Sequence, residues 1–146
     1  MSTREQALVA LLERLRAEFE PAAVVQRNLV TDEPSPRDGL IVLRDGDPGE
    51  PLMAIGLSSP WYHFEHVATV EVMVAEADDA MRSAILDQMV DRVAAIIGED
   101  PRLGGAVTAS RVLPPEIEHD REPAGIGHGY ARVPIVLQFA TSSPVG

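Results

Sequence analysis

At 146 residues, 45% of them hydrophobic, the chain is long enough for one domain with its own core and too apolar for disorder. The net charge of -11 disfavours a nucleic-acid binder that works through phosphate contacts, and the absence of cysteine excludes disulfides and thiol chemistry. Every basic residue is Arg, which removes lysine Schiff-base chemistry and the P-loop lysine together.

Ser2 and Glu5 have capping-box spacing, and Leu8, Leu11, Leu12, Leu15 and Phe19 follow at helical intervals up to Pro21. Ala22 to Val30 reads as a short strand, and TDEPSPRDG (31–39) as a polar, proline-bearing loop. Gly39 to Arg44 is a continuous apolar run of strand length. Asp45 to Pro51 is dense in turn formers, so Leu52 to Leu57 is expected to return as its hairpin partner. The next segment, SSPWYHFEH, gathers three of the six aromatics.

From His66 the period is two, with Ala68, Val70, Val72 and Val74 on one face of a half-buried strand. Asp78 and Asp79 offer N-cap oxygens. Met81, Ile85, Leu86, Met89, Val90, Val93, Ile96 and Ile97 then form one helical stripe, leaving Arg82, Asp87, Gln88, Asp91 and Arg92 for water. Gly98 is expected to stop the helix, Pro101 to forbid its return, and Gly104-Gly105 to turn the chain into a weaker strand, Ala106 to Val112. If those two strands lie close in one sheet, they should run parallel. Pro114 to Gly129 reads as a long loop with an acidic cluster, Glu116, Glu118, Asp120 and Glu122. The last strand alternates Ala131, Val133, Ile135, Leu137 and Phe139 with polar positions. Its Pro134 has no ladder donor, so the strand is an edge or turns that position to an unpaired side. SSPVG reads as a frayed tail.

No enzyme constellation emerges. His63, Glu65 and His66 resemble a metal-ligating set, but on an extended chain residues three apart point opposite ways, so a solvated or core-edge pair of histidines is the better reading. No G-x-S-x-G turn presents a serine. Gly125, Gly127 and Gly129 precede a strand rather than a helix, so no helix N-terminus would receive an anion. No catalytic, cofactor-binding or metal-ligating residue is assigned, and no cofactor. No apolar run approaches the ~20 residues of a membrane span, and the N-terminal stretch reads as a charged helix rather than a signal peptide.

The order of elements resembles the tail terminator (tail completion) proteins of long-tailed bacteriophages. The likeness is carried by Leu8 to Leu15, Val67 to Val74, Ile85 to Ile97, the turn Asp100-Pro101-Arg102-Leu103-Gly104-Gly105, and Gly129 to Phe139. It covers nearly the whole chain, and the D-P-x-L-G-G turn after an amphipathic helix is its sharpest piece. Pro48 to Glu65 is less typical. The resemblance implies a single α+β domain over 1–146: a mixed, largely antiparallel sheet of about four to five strands with two helices packed on one face.

It further implies a non-enzymatic virion protein whose subunits close into a homohexameric ring. Such a ring caps the tail tube, stops its polymerisation and joins tail to head connector, in the virion at the tail–head junction after assembly in the host cytoplasm. The partners would be further copies of the chain, the major tail tube protein and the connector or neck protein. DNA would pass through the lumen without sequence-specific binding, and no membrane is involved. An acidic surface suits such a channel. Alternatives are another neck or tail-completion adaptor, or a small-molecule-binding or metal-dependent enzyme domain. Loops at the sheet ends are the natural docking surfaces. The candidate interface residues are Asp45, Asp47 and Glu50 in the expected hairpin tip and Glu118, Asp120 and Arg121 in the expected long loop.

Overall fold

Two long strands form the spine of the structure, a computed structural model that describes residues 1–30, 39–56, 59–121 and 127–146, with the backbone alone at 121. The proline-bearing loop over 31–38, the expected strand end at Leu57, and Glu122 and Gly125 lie outside those residues. In chain order the elements are α1 (Thr3–Phe19), β1 (Val24–Arg27), β2 (Leu40–Asp47), β3 (Leu52–Ile55), β4 (Pro60–Ala75), α2 (Asp79–Glu99), a 3-10 turn (Leu103–Gly105), β5 (Ala109–Val112), β6 (Glu116–Arg121) and β7 (Gly127–Thr141). β4 and β7 pair antiparallel from Tyr62 opposite Thr141 to Ala75 opposite His128.

The sheet runs β1-β2-β4-β7-β5, with β3 on the β2 flank of β4 and β6 on the β5 flank of β7. Among the described residues, only β1 and β2 pair in parallel; the other pairings are antiparallel. The fold is α+β, a mixed and largely antiparallel sheet with two helices. β4 and β5 both run antiparallel to β7, so they are parallel to each other and near-adjacent, as the strand–helix–strand pattern requires.

Period two decides the faces. Phe64, Ala68, Val70, Val72 and Val74 of β4 and Ala131, Val133, Ile135, Leu137 and Phe139 of β7 share one buried core with α1 and α2. α1 supplies Ala7, Leu8, Leu11, Leu12, Leu15 and Phe19, and α2 supplies Leu86, Met89, Val93, Ile96 and Ile97. Ser2 caps α1 by accepting from Glu5 N at 3.1 Å, and Asp78 caps α2 by accepting from Ala80 N and Met81 N. The box at Ser2 is not reciprocated, because the Glu5 carboxylate is taken by Arg27.

Several expectations are corrected. β2 and β3 do not pair as a hairpin; each pairs with a different part of β4. β2 reaches Asp47 because it carries a bulge: Arg44 faces Thr69 and Asp47 faces Val67, three steps against two. Gly46 takes that bend at φ 71°, and a Cβ there would sit 1.9 Å from the Val67 carbonyl oxygen. α2 runs through Gly98 to Glu99, since Gly disfavours a helix without forbidding it. On its stripe, Met81 is exposed and Arg82 is buried, four residues before Leu86. The expected loop after Pro114 contains β6.

β7 is central rather than an edge, and Pro134 sits where its second flank is interrupted between β5 and β6. Its carbonyl accepts from Leu113 N on that flank, and a strand residue's N–H and C=O point the same way, so the missing donor faces the gap. The C-terminus is tied down: Gly146 is buried and Arg4 Nη1 donates to the Val145 carbonyl at 3.1 Å. The D-P-x-L-G-G turn clamps the helices. Asp100 accepts from Gly104 N and pairs with Arg14 of α1, both at 2.8 Å, while Leu103 is buried beneath. No described helix is long and apolar enough to cross a membrane.

Candidate interface surfaces

Three surfaces of the described residues stand out once the core is accounted for. The first is the hairpin of β3 and the start of β4, where Leu52 faces His63 and Ile55 faces Pro60. The side chains of β3 have no core to enter: Leu52 is 78% exposed, Met53 58% and Ile55 80%, with Trp61 of β4 at 49%. Tyr62 packs against the core and roots this arm. Among the described residues, the outer edge of β3 has no strand partner, so a row of backbone donors and acceptors is open beside the apolar side chains.

The second surface is the sheet face turned away from the helices. Its charges are cross-linked between strands: Arg44 pairs with Glu71 at 2.9 Å, Arg111 with Glu65 at 3.7 Å and Arg132 with Glu116 at 3.6 Å. Tyr130 Oη donates to Glu71 at 2.7 Å, and burial together with that carboxylate pushes the phenol pKa up. The guanidinium of Arg132 lies over the Tyr130 ring. These pairs let a face without a helix stay polar and ordered. At the arm end the face opens into a groove of about 500 Å³ lined by Glu50, Leu52, His63, Glu65, Thr108 and Gln138, among others.

The third surface is the far edge, where β6 meets the start of α2. Arg82 donates from Nε to His119 Nδ1 at 3.1 Å, from Nη1 to the Glu76 carbonyl at 2.9 Å and from Nη2 to Asp79 at 2.9 Å. Glu118 and Asp120 line a hollow of about 230 Å³ with Met73, His128, Gly129 and Tyr130.

The sequence-derived candidates separate. Asp47 and Glu50 are exposed near the arm, and Glu118 and Asp120 are exposed on β6; the Arg121 side chain is outside the described residues. The two groups lie roughly 30 Å apart along the sheet and make two sites rather than one. Asp45 is not a loose tip charge. Arg27 donates to both of its oxygens at 2.7 and 2.9 Å while also holding Glu5 at 2.7 and 2.9 Å, a clasp joining α1, β1 and β2. The Arg27 hydrogen bonds hold both carboxyl pKa values below their ordinary range. His63 and His66 face opposite sides of β4. His63 is exposed, whereas His66 is buried and its Nε2 donates to the Asp45 carbonyl. Among the described residues, no group of three or more His, Cys, Asp or Glu is placed to hold a metal ion.

Leu52, Met53, Ile55 and Trp61 were not among the candidates. The signal for them is that 51–62, PLMAIGLSSPWY, contains no charged residue in a chain that is 24% charged.

No protein-family model and no curated protein match this chain. Among solved structures it is similar to a chain of one described as "Virion of native gene transfer agent (GTA) particle", with a TM-score of 0.40 and 13% identity, over 90% of this chain and 93% of that one. A likeness this weak does not decide a function.

Proposed function

We propose that this chain is a structural virion subunit of the tail terminator type. It assembles through its own surfaces into a ring, closes the end of a tail tube and offers the other side of the ring to a head connector. The observation that carries the reading is the arm. A small domain with a complete core does not otherwise present Leu52, Met53, Ile55 and Trp61 on an open strand edge, because a lone subunit gains nothing from hydrating them. The order of elements and the Asp100–Gly105 turn, which joins the two helices, support the same reading. The candidate tube and connector contacts are the exposed acids: Asp47 and Glu50 at one end of the sheet, Glu118 and Asp120 at the other.

The test is the mass of the purified protein in solution, alone and with its tail tube subunit, together with electron microscopy of tube ends. A ring that sits on tube tips and limits tube length is expected. A monomer that ignores tube ends and binds a metabolite tightly would end the proposal.

A further inference from the structure

We propose that the arm of one copy seats on the β6–α2 shoulder of the next, a head-to-tail contact between two different surfaces of the same chain. This rests on the reading of the chain as a self-associating subunit and specifies which surfaces meet.

The arm has no charge between Pro51 and Tyr62, and that matters for the choice of partner. Two copies carrying -11 each repel over most of their surfaces, so a contact between them must engage at least one neutral patch. The arm is such a patch, with an unpaired edge and apolar side chains on both of its faces. Its counterpart must also be apolar and must lie elsewhere on the subunit. Outside the arm and the chain ends, the described large apolar side chains at least half exposed are Val30 at 94%, a single residue bordering 31–38, and the pair Met81 at 54% and Ile117 at 50%. Met81 and Ile117 are the ones that make a patch. They belong to the first turn of α2 and to β6, the two elements tied together by Arg82 and His119. β6 also has no described partner on its outer edge.

Topology places these two patches at opposite corners. β3 lies on the flank of β4 away from β7, and β6 lies on the flank of β7 away from β4. Ile117 faces Ala131, which faces Val72, and eleven strand steps from Trp61 to Val72 span roughly 35 Å. An arm at one corner and a receiving shoulder at the diagonal corner cannot satisfy each other within one subunit. A reciprocal two-fold pairing of the two patches would stop at two copies, which a wild-type assembly of more than two copies excludes; in the head-to-tail contact the patches engage two different neighbours. They repeat from copy to copy in one direction, which closes into a ring when the rotation per copy permits. The acidic residues of β6 (Glu116, Glu118 and Asp120) meet no like charge from an uncharged arm.

The experiment pairs two full-length variants, L52D/I55D in the arm and I117D in the shoulder, with M81E as a second shoulder variant. All four positions are exposed, and circular dichroism with thermal melting checks that each variant folds. By light scattering after gel filtration, the wild type assembles and each variant alone collapses to a single 15.7 kDa subunit. Mixing an arm variant with a shoulder variant restores one intact contact, so the mixture yields a species of twice the subunit mass and nothing larger.

A shoulder variant that still assembles like the wild type would show that arm meets arm or another surface, overturning the head-to-tail assignment. Assembly unchanged in both variants overturns both surfaces, while tubes still capped by that assembly leave the terminator reading standing. A wild type that stays monomeric alone but binds the tube subunit through the arm overturns the contact by giving the arm a different occupant. A monomer that also ignores tube ends removes the terminator reading as well.

Discussion

Arg82→Met tests whether the far edge of the sheet is organised from inside. The substitution keeps an apolar stem of similar reach and removes the guanidinium, which is buried and donates to His119, Asp79 and the Glu76 carbonyl. The three losses are unequal. Asp79 and His119 are exposed, so water replaces the arginine at both, and each contributes about 0–1 kcal/mol, as surface contacts do. The Glu76 carbonyl loses a charge-assisted bond in a half-buried place, worth about 1.5–3 kcal/mol. The sum is about 3 kcal/mol, or roughly 6–12 °C in melting temperature for a domain of this size. Thermal and urea unfolding measure it. Hydrogen exchange adds a local reading, since β6 should lose protection before β4 and β7 do. A loss below about 0.5 kcal/mol, the range of ordinary surface substitutions, would refute the claim that this arginine is a structural buried charge. Released β6 should also weaken self-association if the shoulder is a docking surface.

Gly127→Ala probes the same site from the other side, because a Cβ there would lie 1.9 Å from Arg82 Nη1 and 2.8 Å from the Glu76 carbonyl oxygen; a clear drop in urea midpoint is expected, and an unchanged midpoint would contradict the packing. Gly46→Ala should destabilise by about 2 kcal/mol or more in the same assay, combining a left-handed φ with a clash against the Val67 carbonyl. The Glu5–Arg27–Asp45 clasp makes a pH prediction. Both carboxyl pKa values are depressed on folding, so the clasp contributes fully above their ordinary values of 4.5 and 3.8 and fades as pH falls through the lower folded values. Unfolding free energy should therefore decline on acidification below about pH 5, and Arg27→Met should flatten that decline; an identical pH slope in the variant would count against the clasp. Asp47→Arg with Glu50→Arg should leave the melting temperature within about 2 °C while reducing tube capping, since both side chains are exposed; normal capping would remove these acids from the docking surface.

Local pattern was enough for what depends on neighbours in the chain. The stripe Leu8 to Phe19, the alternation Ala68 to Val74 and Ala131 to Phe139, and the Asp78 cap are read from spacing alone, because a helix or strand repeats its environment at a constant interval. The parallel relation of β4 and β5 followed from the helix between them. Spacing also contained the position of Arg82, four residues before Leu86, but its charge argued for water. Only the tertiary structure supplies the reason it is inside: Gly127 and Gly129 leave room for its side chain, and Glu76 and Asp79 offer acceptors. Those glycines had no visible purpose without the helix that packs over them.

Strand pairing was likewise decided in three dimensions. Turn residues at 45–51 predicted a hairpin between β2 and β3, yet β4 is long enough to take both on one flank, and its many pairings outweigh one short local ladder. The same length carries the arm beyond the core. An uncharged run such as 51–62 is compatible with burial or exposure, and its composition cannot distinguish them. The choice falls to exposure because the helices cover only part of a sixteen-residue strand, leaving Leu52, Met53, Ile55 and Trp61 without a covering surface among the described residues.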